Sequence, residues 1–215
     1  MQQRSKIHVE RLFATPFMLD KPAIGCTVPS PLLAAASATD GVALHTGVPV
    51  WDDGRVDGQA PWLLPLVSHI RDLAERHTAN LRAVDRVRWH IGASLYCHSS
   101  AAQPAFPARY DAFWTALYVL DDGYGLQPSQ AAGGEFVFFD PRLPAPMMET
   151  PSLRLLSEPG KDASAYTPEL SLCPASGQLF FFPAWLRVEQ RARHGARPRR
   201  LIVATLVADI ETIAG

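Results

Sequence analysis

Two periodicities divide the chain. Leu63, Leu64, Val67, Ile70, Leu73 and Ala74 recur at three- and four-residue spacing, which predicts a helix over about 62–79 with one apolar face. Pro65 falls in its first turn, where a missing N–H costs little. From residue 84 the period becomes two. Val87, Trp89, Ile91, Ala93, Leu95 and Cys97 point one way, and Arg88, His90, Ser94, Tyr96 and His98 the other. Such a strand is half core and half pocket wall. Further strands are predicted over 7–17, 113–120, 135–139, 178–182 and 200–209. Turn signals separate several of them: Asp121-Asp122-Gly123, Gly133-Gly134, Asp140-Pro141 and Ser176-Gly177. Residues 20–60 read mainly as loop with a short helix near 31–37. One helix followed by a run of strands fits a β-sandwich or jelly roll with helices packed outside.

Composition narrows the class. The chain has 215 residues, 47% of them hydrophobic and 19% charged, which is enough to bury a core and fits one domain. A formal charge of −1 supplies no overall field for nucleic acid or acidic lipid. No apolar run approaches the roughly 20 residues of a membrane span, and the N-terminus does not open on a signal-peptide apolar core. Cys26, Cys97 and Cys173 are an odd, unclustered set that argues against a disulfide framework and a CxxC zinc site. These features predict a soluble, cytoplasmic protein of one domain. They leave its oligomeric state open. The sequence contains no glycine-rich phosphate loop, no GxSxG elbow and no HExxH helix.

Several segments in order resemble the iron(II)- and 2-oxoglutarate-dependent oxygenases, in particular bacterial oxygenases related to prolyl hydroxylases. Leu12-Phe13-Ala14-Thr15-Pro16 resembles the opening LFxTP strand. Gly92 to His98 resembles the GxxxxxH segment, and Thr115 to Leu120 the next core strand. Gly133-Gly134-Glu135 through Asp140-Pro141-Arg142 is similar to a glycine-led strand ending in DPR. Pro174 to Leu186 matches PxxGxLxxFPxxL, and Arg200-Leu201-Ile202-Val203 resembles the last strand. The resemblance implies a mainly β, double-stranded β-helix (jelly-roll, cupin-like) fold with flanking helices, and Fe(II) and 2-oxoglutarate as cofactors. It also implies that His98 is the first iron ligand and Arg200, with Arg199 as its rival, the grip on 2-oxoglutarate.

That chemistry rests on a facial triad of two histidines and a carboxylate that leaves three positions open on iron. The sequence departs from it twice. Ser100 stands where the second ligand is expected, and Arg187 and Val188 stand where the distal histidine should be. Asp111, Glu189 and His194 are the candidates for displaced ligands. His90 shares a face with His98 but lies about 26 Å away along an extended strand, too far to share a metal. Without iron, His98 could serve as acid or base, because histidine titrates near physiological pH. Tyr96 and Ser94 flank it as pocket hydrogen-bond donors, and an arginine from 199–200 could clamp a carboxylate through its planar fork. Cys97 should point into the core, away from His98.

Three readings stay open at this stage. The first is an oxygenase-family enzyme acting on a small molecule, of the kind found in secondary metabolism, with a rearranged iron site centred on His98. The second is a metal-independent enzyme on the same fold that performs cyclisation, isomerisation or elimination. The third is an inactive binding or partner subunit. Substrate specificity is expected in the loops 20–60, 100–110 and 143–172.

Overall fold

A computed structural model describes residues 15–38, 47–55, 60–79, 81, 85–99, 105–106, 108–125, 132–140, 169–194 and 197–212. The elements are β1 (Met18–Asp20), α1 (Ser30–Ala38), β2 (Val48–Asp52), a 3-10 turn (Pro61–Leu63), α2 (Leu64–His77), β3 (Asp85–His98), β4 (Ala105–Phe106), β5 (Trp114–Asp121), β6 (Ala132–Gly133), β7 (Phe136–Phe139), β8 (Glu169–Leu172), β9 (Leu179–Pro183), β10 (Val188–Gln190), β11 (Arg193–His194) and β12 (Arg199–Thr212). All strand pairings among the described residues are antiparallel. A six-stranded sheet runs β1-β9-β5-β12-β3-β2 and a four-stranded sheet runs β4-β10-β7-β8. Together they form a double-stranded β-helix with helices on the outside, the fold that the sequence resemblance implies. No helix among the described residues is long and apolar enough to cross a membrane.

The large sheet is buried on both faces. On its outer face Trp89, Ile91, Leu95, Trp114, Phe181, Ile202 and Leu206 pack against α2, which presents Leu66, Val67, Ile70, Leu73 and Ala74. On its inner face Leu117, Val119, Phe180, Phe182 and Leu201 meet Phe136, Phe138 and Val188 of the small sheet. Burial on both sides explains why β9 is a continuous apolar run and not an alternating one. Each of its three phenylalanines is worth about 1.5–3 kcal/mol of burial. Cys97 lies on the outer face, 3.5 Å from the Ser37 hydroxyl of α1, and so turns away from His98. Asp53 ties these layers together: its carboxylate accepts from Trp51 Nε1, Arg71 Nη2 of α2 and the Ile91 backbone of β3, each at 2.9 Å.

Several boundaries differ from the sequence reading. The expected strand over 7–17 falls mostly outside the described residues; the strand that is described begins after Pro16, at Met18. β2 lies within the segment read as loop, because Val48-Pro49-Val50-Trp51-Asp52 is too short and too proline-broken to show a period. β10 lies within a charge-rich stretch, and only the pairing of Val188 with Phe106 and Phe138 reveals it as a strand.

Candidate functional site

The inner face of the large sheet is built by register. β12 pairs with β3 so that His98 faces Arg199, Tyr96 faces Leu201, Ser94 faces Val203 and Gly92 faces Thr205. Because cross-strand partners share a face, these eight side-chain positions line one wall of the barrel interior. Thr115 joins them from β5, opposite Thr205. The small sheet and the segment after β9 supply the facing wall, with Phe106 and Leu186.

A cavity of about 330 Å³ opens at one end of this interior. Ser94, Tyr96, Thr115 and Thr205 bring hydroxyl groups to it, and Arg109 brings a guanidinium. Phe106, Phe182, Leu186 and Val203 supply apolar surface, and Pro49, Trp51 and Asp52 close one side. The Tyr96 ring is wedged in place. It meets Phe106 edge-on at 6.1 Å and lies parallel to His98 at 5.9 Å. Behind it Gly47 comes so near that an added Cβ would sit 2.5 Å from Tyr96 Cζ, which only glycine permits.

Electrostatics sets the protonation of this wall. Burial pushes the Tyr96 phenol above its ordinary value, and the nearby Arg109 charge pulls it back only in part. Tyr96 is therefore a neutral hydroxyl at physiological pH and a hydrogen-bond donor. Arg109 donates through Nε and Nη2 to the two carboxylate oxygens of Asp111, at 3.0 and 2.5 Å. Those bonds raise the Arg109 guanidinium and hold the Asp111 carboxyl below its usual range. The Arg109 backbone N–H donates to Ala184 O at 2.6 Å, which anchors the root of the side chain at the cavity mouth.

The other end of the same wall is different. His98 is half-buried and does not line the cavity. Its ring lies 6.4 Å from Phe106, and its carbonyl accepts from Arg193 Nη2 at 3.2 Å. Arg199, its cross-strand partner, is fully buried. Arg199 donates to Asp122 O at 3.0 Å and to Gly134 O at 2.6 Å, and its guanidinium lies against the rings of Tyr124 and Phe136. Burial lowers its pKa. Arg193 likewise donates to Gly123 O at 2.7 Å and Arg197 O at 2.8 Å. The two arginines thus hold the turn after β5 and the turn at β6 against the end of β3. Gly134 makes this possible, with φ +77° and no room for a side chain between Arg193, Arg199 and Tyr124. Arg200 shares the outer face with Cys97 and Ile202, not the barrel interior.

The remaining candidate residues are dispersed. Val188 is wholly buried in the core between the sheets. Glu189, on the opposite face of β10, is ion-paired with Arg187. Asp111 is exposed and engaged with Arg109, and His194 is exposed in β11 beside Ala132. Ser100 lies outside the described residues. Among the described residues, no three His, Cys, Asp or Glu side chains come together in a way that could hold a metal ion. The described contacts of His98 include the rings of Tyr96 and Phe106 and the guanidinium of Arg193, which donates to its carbonyl. A guanidinium this close opposes a divalent ion, and neither ring supplies a hard ligand for one. Among the described residues, the ligand set that the resemblance implies is therefore not gathered at His98.

Arg109, Thr115, Thr205, Phe106 and Leu186 were not singled out in the sequence. The alternation along 113–120 and 200–209 carries the signal for Thr115 and Thr205, each a polar residue on an otherwise apolar inner face. Arg109 has no such signal, since only a loop brings it to the mouth.

No protein-family model matches the chain, and no curated protein matches it. Among solved structures it aligns with a prolyl-4-hydroxylase from Pseudomonas putida at 14% identity, over 93% of this chain and 89% of that one, with a TM-score of 0.49. A 2OG-Fe(II) oxygenase family oxidoreductase from Burkholderia pseudomallei aligns at 15% identity over 89% and 84%, with a TM-score of 0.39. The non-heme alpha ketoglutarate dependent epimerase SnoN from nogalamycin biosynthesis aligns at 16% over 90% and 78%, with a TM-score of 0.42. These neighbours belong to the group of enzymes that the sequence motifs resemble.

Proposed function

We propose that the barrel mouth binds a small organic molecule and performs redox-neutral acid–base chemistry on it, without iron at His98. The observation that carries this reading is the position of the polar cavity. It lies at Ser94, Tyr96 and Arg109, while His98 stands outside it with its ring beside those of Tyr96 and Phe106, and Arg199, which faces it across the strands, is engaged with Asp122 O and Gly134 O. In this reading the Tyr96 hydroxyl, neutral and protonated, donates a hydrogen bond to a developing oxyanion, which the Arg109 charge stabilises. Ser94, Thr115 and Thr205 orient the bound molecule by hydrogen bonds, and the apolar side excludes water. Isomerisation, elimination and cyclisation are redox-neutral, pass through such developing charge and need no external oxidant.

The order of the motifs from Gly92 to Val203 favours a second reading, an Fe(II)/2-oxoglutarate oxygenase with a non-standard site centred on His98. One experiment separates the two. Protein purified without added metal is titrated anaerobically with Fe(II) and 2-oxoglutarate, and small-molecule binding is followed in excess chelator for wild type and Tyr96→Phe. The proposal expects no saturable iron binding, and binding in chelator that Tyr96→Phe weakens. Near-stoichiometric iron that His98→Ala abolishes would overturn it.

A further inference from the structure

We infer that the molecule taken by the cavity is a small amphipathic organic anion whose acidic group meets Arg109 at the mouth. This deepens the proposed function and rests on its placing of the ligand in this cavity. The two walls have opposite character. Phe106, Phe182, Leu186 and Val203 form an apolar side that a sugar or a small polyol would leave unsatisfied, so the ligand carries a hydrocarbon body. The hydroxyls of Ser94, Thr115 and Thr205 fix its orientation without selecting a charge.

Charge is decided at the mouth. Arg109 and Asp52 are the charged side chains that line the cavity. Asp52 Oδ1 is turned back on the Gly54 backbone N–H at 2.9 Å, where it closes a turn. Arg109 keeps spare donors, because Asp111 engages only Nε and one N–H of Nη2, while a guanidinium carries five. Asp111 is itself 66% exposed, so the ion pair is a solvent-screened contact that a ligand can share. A carboxylate arriving at Arg109 is bound by a rooted cation beside the neutral donor of Tyr96, which is the geometry of charge-assisted recognition. Volume sets the size. The cavity of about 330 Å³ holds roughly a dozen non-hydrogen atoms at the ~30 Å³ that a water molecule occupies in the liquid.

Calorimetric titration tests this with aryl- and alkyl-carboxylates of about six to ten carbons and their matched primary amides, all in excess chelator. Wild type is expected to bind a carboxylate at least tenfold more tightly than its amide. Arg109→Gln should abolish that preference and leave amide affinity within about twofold. Amides that bind as tightly as carboxylates, in a manner that Tyr96→Phe weakens, would overturn the anion inference and leave the cavity as the ligand site. If neither series binds, the inference and the functional reading fall together.

Discussion

Replacement of Arg199 by methionine tests whether this arginine is a strut of the barrel or a clamp for a cofactor. Arg199 is wholly buried and donates to Asp122 O and Gly134 O. Methionine keeps the apolar stem and removes both bonds, each worth about 1.5–3 kcal/mol when the donor is charged. It also removes the contacts with the Tyr124 and Phe136 rings, worth about 0.5–2 kcal/mol each. Relief of the buried charge offsets several kcal/mol of this loss. The net expectation is a destabilisation on the order of 2–4 kcal/mol, because two buried carbonyls are left without donors. In urea, with a slope of about 2–3 kcal/mol/M, the midpoint falls by about 1 M. Arg199→Lys should recover only part of this, since an ammonium cannot span both carbonyls in one plane. Unchanged or increased stability in Arg199→Met, together with lost affinity for 2-oxoglutarate, would refute the strut and restore the clamp.

Gly47→Ala forces a Cβ to within 2.5 Å of Tyr96 Cζ and should cost about 1–3 kcal/mol as an overpacked site. Its effect on ligand affinity should be non-additive with Tyr96→Phe in a double-mutant cycle, and additive effects would show that the two do not act through one ring. Val188→Thr keeps the shape and buries a hydroxyl between Phe106 and Phe138, so thermal or urea unfolding should show a loss of about 1–3 kcal/mol; a neutral result would mean that the position is wet. Burial raises the phenols of Tyr96, Tyr118 and Tyr124. A raised phenol contributes stability that is complete below the unfolded value of about 10 and is lost as pH rises through the folded value. Stability should therefore be flat through neutral pH and fall above about pH 10, with an ultraviolet phenolate titration that is late for these three tyrosines. On the acid side, burial opposes ionisation of Asp122, yet the N–H groups of Tyr124 and Ser176 and the Ser176 hydroxyl still hold it below its usual range. Its contribution should persist through pH 4 and disappear only as pH falls through that lowered value, and Asp122→Asn should flatten this part of the acid limb.

Much of the framework was legible because periodicity is a local property. The three- and four-residue spacing of Val67, Ile70, Leu73 and Ala74 marks α2, and the strict alternation from Val87 to Cys97 marks β3 and separates its core face from its interior face. From that alternation alone, Ser94 and Tyr96 are placed on one wall and Cys97 on the other. The turns at Asp121-Asp122-Gly123 and Gly133-Gly134 were legible too, since a positive φ is affordable chiefly for glycine. What could not be read locally was which residues meet. The β3–β12 register decides that His98 faces Arg199 and that Tyr96 stands clear of it, although 101 residues of sequence separate the first pair. Val188 and Glu189 adjoin in sequence and point to opposite faces of β10, so only strand pairing tells which of them enters the interior. Arg109 reaches the cavity because a loop bonded to Ala184 carries it there. Local spacing thus determined the elements and their faces. The tertiary structure alone decided the partners, because hydrogen bonds between distant strands fix register and the charge of a site is the sum of groups that the fold collects.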